Sequence, residues 1–102
     1  MTDEVLFRHG TTLVRRLILE PGEATPWHRD PYHRVSVVIS GDVLRLEYSD
    51  GSEPLRIELT PGAADWDEPC DRVHRAVNIG EKRYEEVTTF LLDAPDAVAQ
   101  PE

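Results

Sequence analysis

Residues 26–41 read PWHRDPYHRVSVVISG, a polar knot of two histidines and an aspartate that runs straight into an apolar stretch stopping at glycine. The second half, RVSVVIS at 34–40, is β-branched and meets Gly41, the pattern of a strand closed by a turn. Val35, Val37 and Ile39 share one face of that strand, and Arg34, Ser36 and Val38 share the other. Apolar side chains on both faces call for cover on both faces. In so short a chain the second cover is expected to be another copy, which predicts a homodimer; a two-layer monomer is the alternative.

The strand pattern repeats on either side. TTLVRRLILE (11–20) is rich in β-formers and leads into the turn signal PGEATP. DVLRLEY (42–48) alternates Val43, Arg45 and Glu47 against Leu44, Leu46 and Tyr48, and closes at SDGSEP. LRIEL (55–59) alternates again before TPG, and RVHRAVNIG (72–80) and RYEEVTTFLL (83–92) complete the set. No window of about 12 residues carries a capped helical stripe. About seven or eight short strands at this spacing predict an all-β antiparallel sandwich or barrel, with one domain over residues 1–93. The tail, residues 94–102, is proline-bearing and is expected to fray or rest on a neighbour.

The bulk composition narrows the function classes. The chain has 102 residues, 39% hydrophobic and 30% charged, enough for one folded domain and too few for two. With 20 acidic and 11 basic side chains the net charge is −9, a field that repels nucleic acid. Lys82 is the single lysine, which argues against a polybasic membrane patch, and no apolar run approaches the roughly 20 residues of a membrane span. The start, MTDEVLFRHG, lacks the features of a signal peptide, and the lone Cys70 fits a reducing compartment; the expected location is cytoplasmic. Cys70 reads as a small buried side chain rather than a nucleophile.

His28 and Asp30, two residues apart, fall on one face of an extended chain and can converge on one point. His33 has the opposite parity in an unbroken strand, but Pro31 forbids regular pairing and a bulge there would swing His33 inward. His74, alone in another expected strand, supplies a further donor. Two imidazoles and one carboxylate can hold a divalent ion and leave positions open for a ligand. That donor set suits iron, manganese, nickel and zinc alike. Without a metal the same residues would be hydrogen-bonded, half-buried side chains.

These residues carry a resemblance. Gly22, five residues, His28, Arg29, Asp30, then Arg34 and Gly41 resemble the first motif of the cupin superfamily, a glycine followed by H-x-H, a glutamate and a second glycine. Asp30 stands at the second histidine position and Arg34 at the glutamate position. Gly62, Pro69, Asp71, His74 and Asn78 are similar to the second motif, P-x-G-x-x-H-x-x-x-N after a glycine, with Asp71 in place of glycine. The likeness covers residues 11–93 and includes small single-domain members whose first motif reads W-H-R-H. It implies a cupin-type double-stranded β-helix (a jelly-roll β-barrel), often dimeric, with a divalent metal near the wide end. It implies no particular reaction, since the fold hosts many.

Arg34 is permanently cationic and cannot be a ligand. It either pairs with Asp30 and leaves a degenerate, metal-free pocket, or stands at the pocket edge and clamps a substrate carboxylate. Trp27 and Trp66 are candidate cavity walls, Tyr48 and Ser36 candidate hydrogen-bond donors to a ligand. Asp67 and Glu68 read as a solvated loop, His9 as a turn residue, and Asn78 as a turn residue that satisfies backbone groups. The leading expectation is a metal-dependent enzyme of dioxygenase, isomerase or lyase type. It would act on a small anionic metabolite, with Arg34 orienting it. The alternative is a binding or sensor module without turnover. A third reading borrows the H-x-D…H pattern of 2-oxoglutarate oxygenases, with Arg83 as the anchor for the co-substrate.

Overall fold

The computed structural model describes residues 1–93, so expectations for the tail at 94–102 lie outside the described residues. Nine strands follow in chain order: β1 (Thr2–His9), β2 (Thr12–Leu19), β3 (His28–Asp30), β4 (Arg34–Ser40), β5 (Val43–Tyr48), β6 (Leu55–Glu58), β7 (Ala64–Asp67), β8 (Cys70–Asn78) and β9 (Tyr84–Leu91). They form a five-stranded sheet ordered β1-β2-β9-β4-β7 and a four-stranded sheet ordered β3-β8-β5-β6, with every pairing antiparallel. No helix among the described residues is long and apolar enough to cross a membrane.

Three strands exceed the sequence expectation. β1 is an edge strand whose residues are nearly all exposed, so it carries no inward stripe to read. β3 has only three residues, and β7 is the acid-rich ADWD, which resembles a loop in composition. Asp67 is therefore on a strand rather than in a solvated loop.

The two sheets face one another and divide the interior lengthwise. At one end Leu19, Val38, Leu44 and Tyr84 form the buried core, packed by Leu17, Leu59 and Ala76. Gly41 closes this end with φ at 130°. A Cβ there would meet Tyr84 Cδ1 at 3.0 Å and Leu59 Cδ1 at 3.1 Å, so glycine serves both the turn and the packing. Asn78, 1% exposed, knits the same end. Its amide donates to the carbonyls of Leu19 and Lys82, both at 2.9 Å, and its side-chain oxygen accepts from Gly80 N at 3.0 Å. Asn78 thus does satisfy backbone groups around the Gly80 turn.

Successive inward residues lead away from this core: Tyr84, Glu86 and Thr88 on β9; Val38, Ser36 and Arg34 on β4; Asn78, Ala76 and His74 on β8. Between the sheets lies a cavity of about 520 Å³, lined along these rows. Its size falls in the range of small-molecule sites.

The outer face of the five-stranded sheet carries a largely apolar row next to the Arg16 ion pairs with Glu4 and Glu85. Register places Phe7 beside Val14, Val14 beside Thr89, Thr89 beside Val35 and Val35 beside Trp66, one row across all five strands. Phe7 is 68% exposed and Trp66 54%.

Candidate metal centre and cavity

The register of β3 on β8 sets His28 directly opposite His74, so the two imidazoles sit side by side with ring centroids 4.6 Å apart. Asp30 joins them through the irregularity between His28 and Asp30. One donor atom from each of the three lies within 4.8 Å of the other two. His74 Nε2 is 2.7 Å and His28 Nε2 3.4 Å from the same oxygen, Asp30 Oδ2.

Backbone carbonyls fix both rings. His28 Nδ1 donates to the carbonyl of Pro26 at 2.7 Å, and His74 Nδ1 donates to that of Arg72 at 2.7 Å. A carbonyl oxygen only accepts, so each Nδ1 carries the hydrogen and a neutral ring offers its Nε2 lone pair. Both Nε2 atoms therefore aim at a carboxylate, acceptor facing acceptor, an arrangement that requires a proton or a metal cation between them. Carbonyl-anchored Nδ1–H groups are also the usual support of metal-ligating histidines. The donor set and its orientation fit a divalent ion.

The electrostatics agree with a strong anion at the focus. Burial works to raise the Asp30 pKa, but the His28 hydrogen bond, the Arg34 charge and the His74 hydrogen bond prevail and lower it to about 2. The hydrogen bond to Asp30 raises the His28 pKa despite partial burial and the nearby Arg34 charge.

Arg34 enters the site from β4. Its Nη2 is 3.5 Å from Asp30 Oδ2 and its Nε 3.9 Å from Asp67 Oδ2, too long and too divided for a bidentate pair with Asp30. Its Nη1 is buried and lacks an acceptor among the described residues.

His33 does not join the cluster. β4 continues its alternation back through residue 33, and the ring turns to the outer face, where Trp66 Nε1 donates to its Nδ1 at 3.0 Å. Trp66 is committed to that outer contact, while Trp27 is half exposed with the Arg75 guanidinium stacked 4.5 Å from its ring; neither lines the cavity. Tyr48 stands beside His74, ring centroids 6.3 Å apart, capped by Arg72. Cys70 is only partly buried, against the expectation of a buried side chain. Arg83 points outward to Glu20 at 3.6 Å and does not line the cavity, which removes the anchor required by the 2-oxoglutarate reading.

Ser36 together with Thr88, Glu86 and Tyr84, which sequence reasoning passed over, completes the polar lining. Ser36, expected to face inward, donates to Asp67 Oδ2 at 3.1 Å and lies 3.2 Å from Thr88 Oγ1. Thr88 in turn bonds Glu86, and Tyr84 donates its hydroxyl to Glu86 at 2.5 Å. Opposite this polar wall stand Leu44, Leu46, Ile57 and Leu59 from β5, β6 and the turn beyond β6. Period-2 reading could have signalled Glu86 only by choosing between two adjacent glutamates.

No family model matches the sequence, and no curated protein matches it. Solved structures do. A cupin domain from Bordetella pertussis is 23% identical with a TM-score of 0.77, over 88% of this chain and 91% of that one. A conserved protein with a double-stranded β-helix domain from Klebsiella pneumoniae is 22% identical, TM-score 0.66, over 92% and 76%. An RmlC-like cupin family protein from Methanocaldococcus jannaschii is 20% identical, TM-score 0.69, over 97% and 87%. The architecture is thus the all-β cupin double-stranded β-helix, as the two sequence motifs implied.

Proposed function

We propose that this protein is a metal-dependent cupin enzyme in which His28, Asp30 and His74 hold a divalent ion and Arg34 orients a small anionic metabolite. The observation that carries the reading is the pair of carbonyl-anchored imidazoles whose Nε2 atoms converge on one Asp30 oxygen. A bound ion supplies Lewis acidity toward a ligand carbonyl or carboxylate. Arg34 contributes an acceptor-free Nη1 beside the cavity, suited to a carboxylate. The apolar wall of Leu44, Leu46 and Ile57 accommodates the body of the ligand and keeps water from it. The reaction is of dioxygenase, isomerase or lyase type.

Elemental mass spectrometry of untagged protein tests this. A stoichiometric iron, manganese, nickel or zinc ion, lost in His74→Ala, is expected. Protein that carries no metal, and gains no thermal stability from any of the four ions, overturns it. The second reading, a non-enzymatic binding module, is favoured by one feature: Arg34 already lies 3.5 Å from Asp30 and can serve as the cation of a metal-free site.

We infer a cytoplasmic homodimer formed through the outer row of Phe7, Val14, Val35 and Trp66. Support comes from the exposure of Phe7 and Trp66 at the two ends of this row, with Val14 and Val35 half-buried between them, and the reducing compartment accords with the unpaired Cys70.

A further inference from the structure

The polar wall of the cavity is a chain of four side chains on three strands. Glu86 and Thr88 come from β9, Ser36 from β4 and Asp67 from β7. Three contacts join them in sequence: Glu86 to Thr88, Thr88 to Ser36 at 3.2 Å, and Ser36 to Asp67 at 3.1 Å. Each hydroxyl owns a single proton. If Thr88 donates to Glu86 and Ser36 donates to Asp67, the middle contact brings two oxygens together with no hydrogen between them. One more proton, on either terminal carboxyl, fills all three contacts and makes every bond in the chain point the same way.

We propose that Ser36 and Thr88 form a proton relay between Glu86, deep in the barrel, and Asp67, the acid–base group at the cavity beside Arg34. In one state Glu86 holds the proton and donates to Thr88, Thr88 donates to Ser36, and Ser36 donates to the Asp67 carboxylate. Transfer breaks three O–H bonds, on Glu86, Thr88 and Ser36, and forms three, on Thr88, Ser36 and Asp67. The net change is one proton moved from Glu86 to Asp67, with the donor direction of the chain reversed.

The surroundings set the two ends apart. Glu86 lies between Leu17 on β2 and Val38 on β4, and no cation lies within ion-pair distance of it among the described residues. Tyr84 is a fixed donor to its other oxygen, since burial and the Glu86 charge push that phenol well above its usual range. Asp67 faces Arg34, and its side chain is 39% exposed, so rotation of the carboxyl presents its proton to a ligand. The other charged groups facing the chain are Arg15 on β2, held by Asp3 of β1, Asp65 on β7, and the cluster of His28, Asp30 and His74; β5 and β6 contribute leucines and Ile57.

The inference rests on the proposed function only for the recipient of the proton. Its test needs neither ligand nor metal, so the two fail separately. Side-chain carboxyl carbons of the full-length, chelator-treated protein are followed by carbon-13 NMR across pH. Both Asp67 and Glu86 signals are expected to move in each of two shared steps, the mark of a coupled pair. Ser36→Ala and Thr88→Val, made separately, should each abolish the sharing and leave one independent step per carboxyl. Independent steps in the wild type overturn the relay. So does coupling that survives unchanged in a folded variant, since that is charge acting through space.

Discussion

Asp30→Asn is the substitution that separates the roles of the focal carboxylate. The Asp30 pKa is lowered from 3.8 to about 2. At about 1.4 kcal/mol per unit, that depression stabilises the metal-free fold at neutral pH by about 2 kcal/mol. The side chain is 14% exposed, so solvent screens little of it. Because the folded pKa is depressed, this contribution is complete above the unfolded value of 3.8 and is lost as pH falls toward about 2. His28 has the opposite sign. Its pKa is raised, so its contribution is complete below 6.5 and lost as pH climbs through the raised value. Its chief cause is Asp30, so Asp30→Asn should remove both limbs at once. Urea unfolding of chelator-treated protein at several pH values reads this directly, as a midpoint shift of about 1 M at neutral pH. Zinc adds a second arm. At about a hundred times its Kd it should stabilise the wild type by about 2.7 kcal/mol, more at higher pH as protons cease to compete, and much less in Asp30→Asn. A variant as stable as the wild type without metal, and as strongly stabilised by zinc, refutes the account of this carboxylate.

Asn78→Ala removes three hydrogen bonds from a buried turn and should cost roughly 3 kcal/mol by urea denaturation; a loss within the error of measurement would deny the turn its anchor. Gly41→Ala combines strain at φ 130° with contacts on Tyr84 and Leu59 and should cost about 2–3 kcal/mol. Gly22→Ala, at φ 88° with open space around it, should cost about 1 kcal/mol, and equal losses would remove the packing term. Val35→Asp places a charge at the centre of the outer apolar row and should convert a dimer to a monomer in analytical ultracentrifugation. A wild type that sediments as a monomer contradicts the proposed interface.

Much of the fold was legible because burial imposes alternation. Six strands announced themselves by inward leucines and valines or by β-branched runs, and RVSVVIS matched β4 residue for residue. β1 escaped because an exposed edge has no inward face to pattern, and β7 because four residues with two aspartates carry too little apolar signal. Parity alone paired His28 with Asp30. The pairing of His28 with His74 needed the long-range register of β3 on β8, which no local spacing encodes. His33 was misleading for a related reason. Pro31 permits a bulge but does not require one, and the register of β4 against β7 sends the ring toward Trp66. In YEEVTTF the two glutamates are identical in chemistry, so alternation is silent on which one enters the barrel.

Each imidazole of the candidate metal site is aimed by a carbonyl two residues earlier in the chain, Pro26 just ahead of β3 and Arg72 within β8. Ring direction is thus a local property of β3 and β8, owing nothing to the third donor. Exchange of that donor leaves the aim intact: a histidine in place of Asp30 would meet two nitrogens already pointing at it. The barrel could therefore trade the charge and hardness of the proposed coordination site through a single codon while the scaffold stays unaltered.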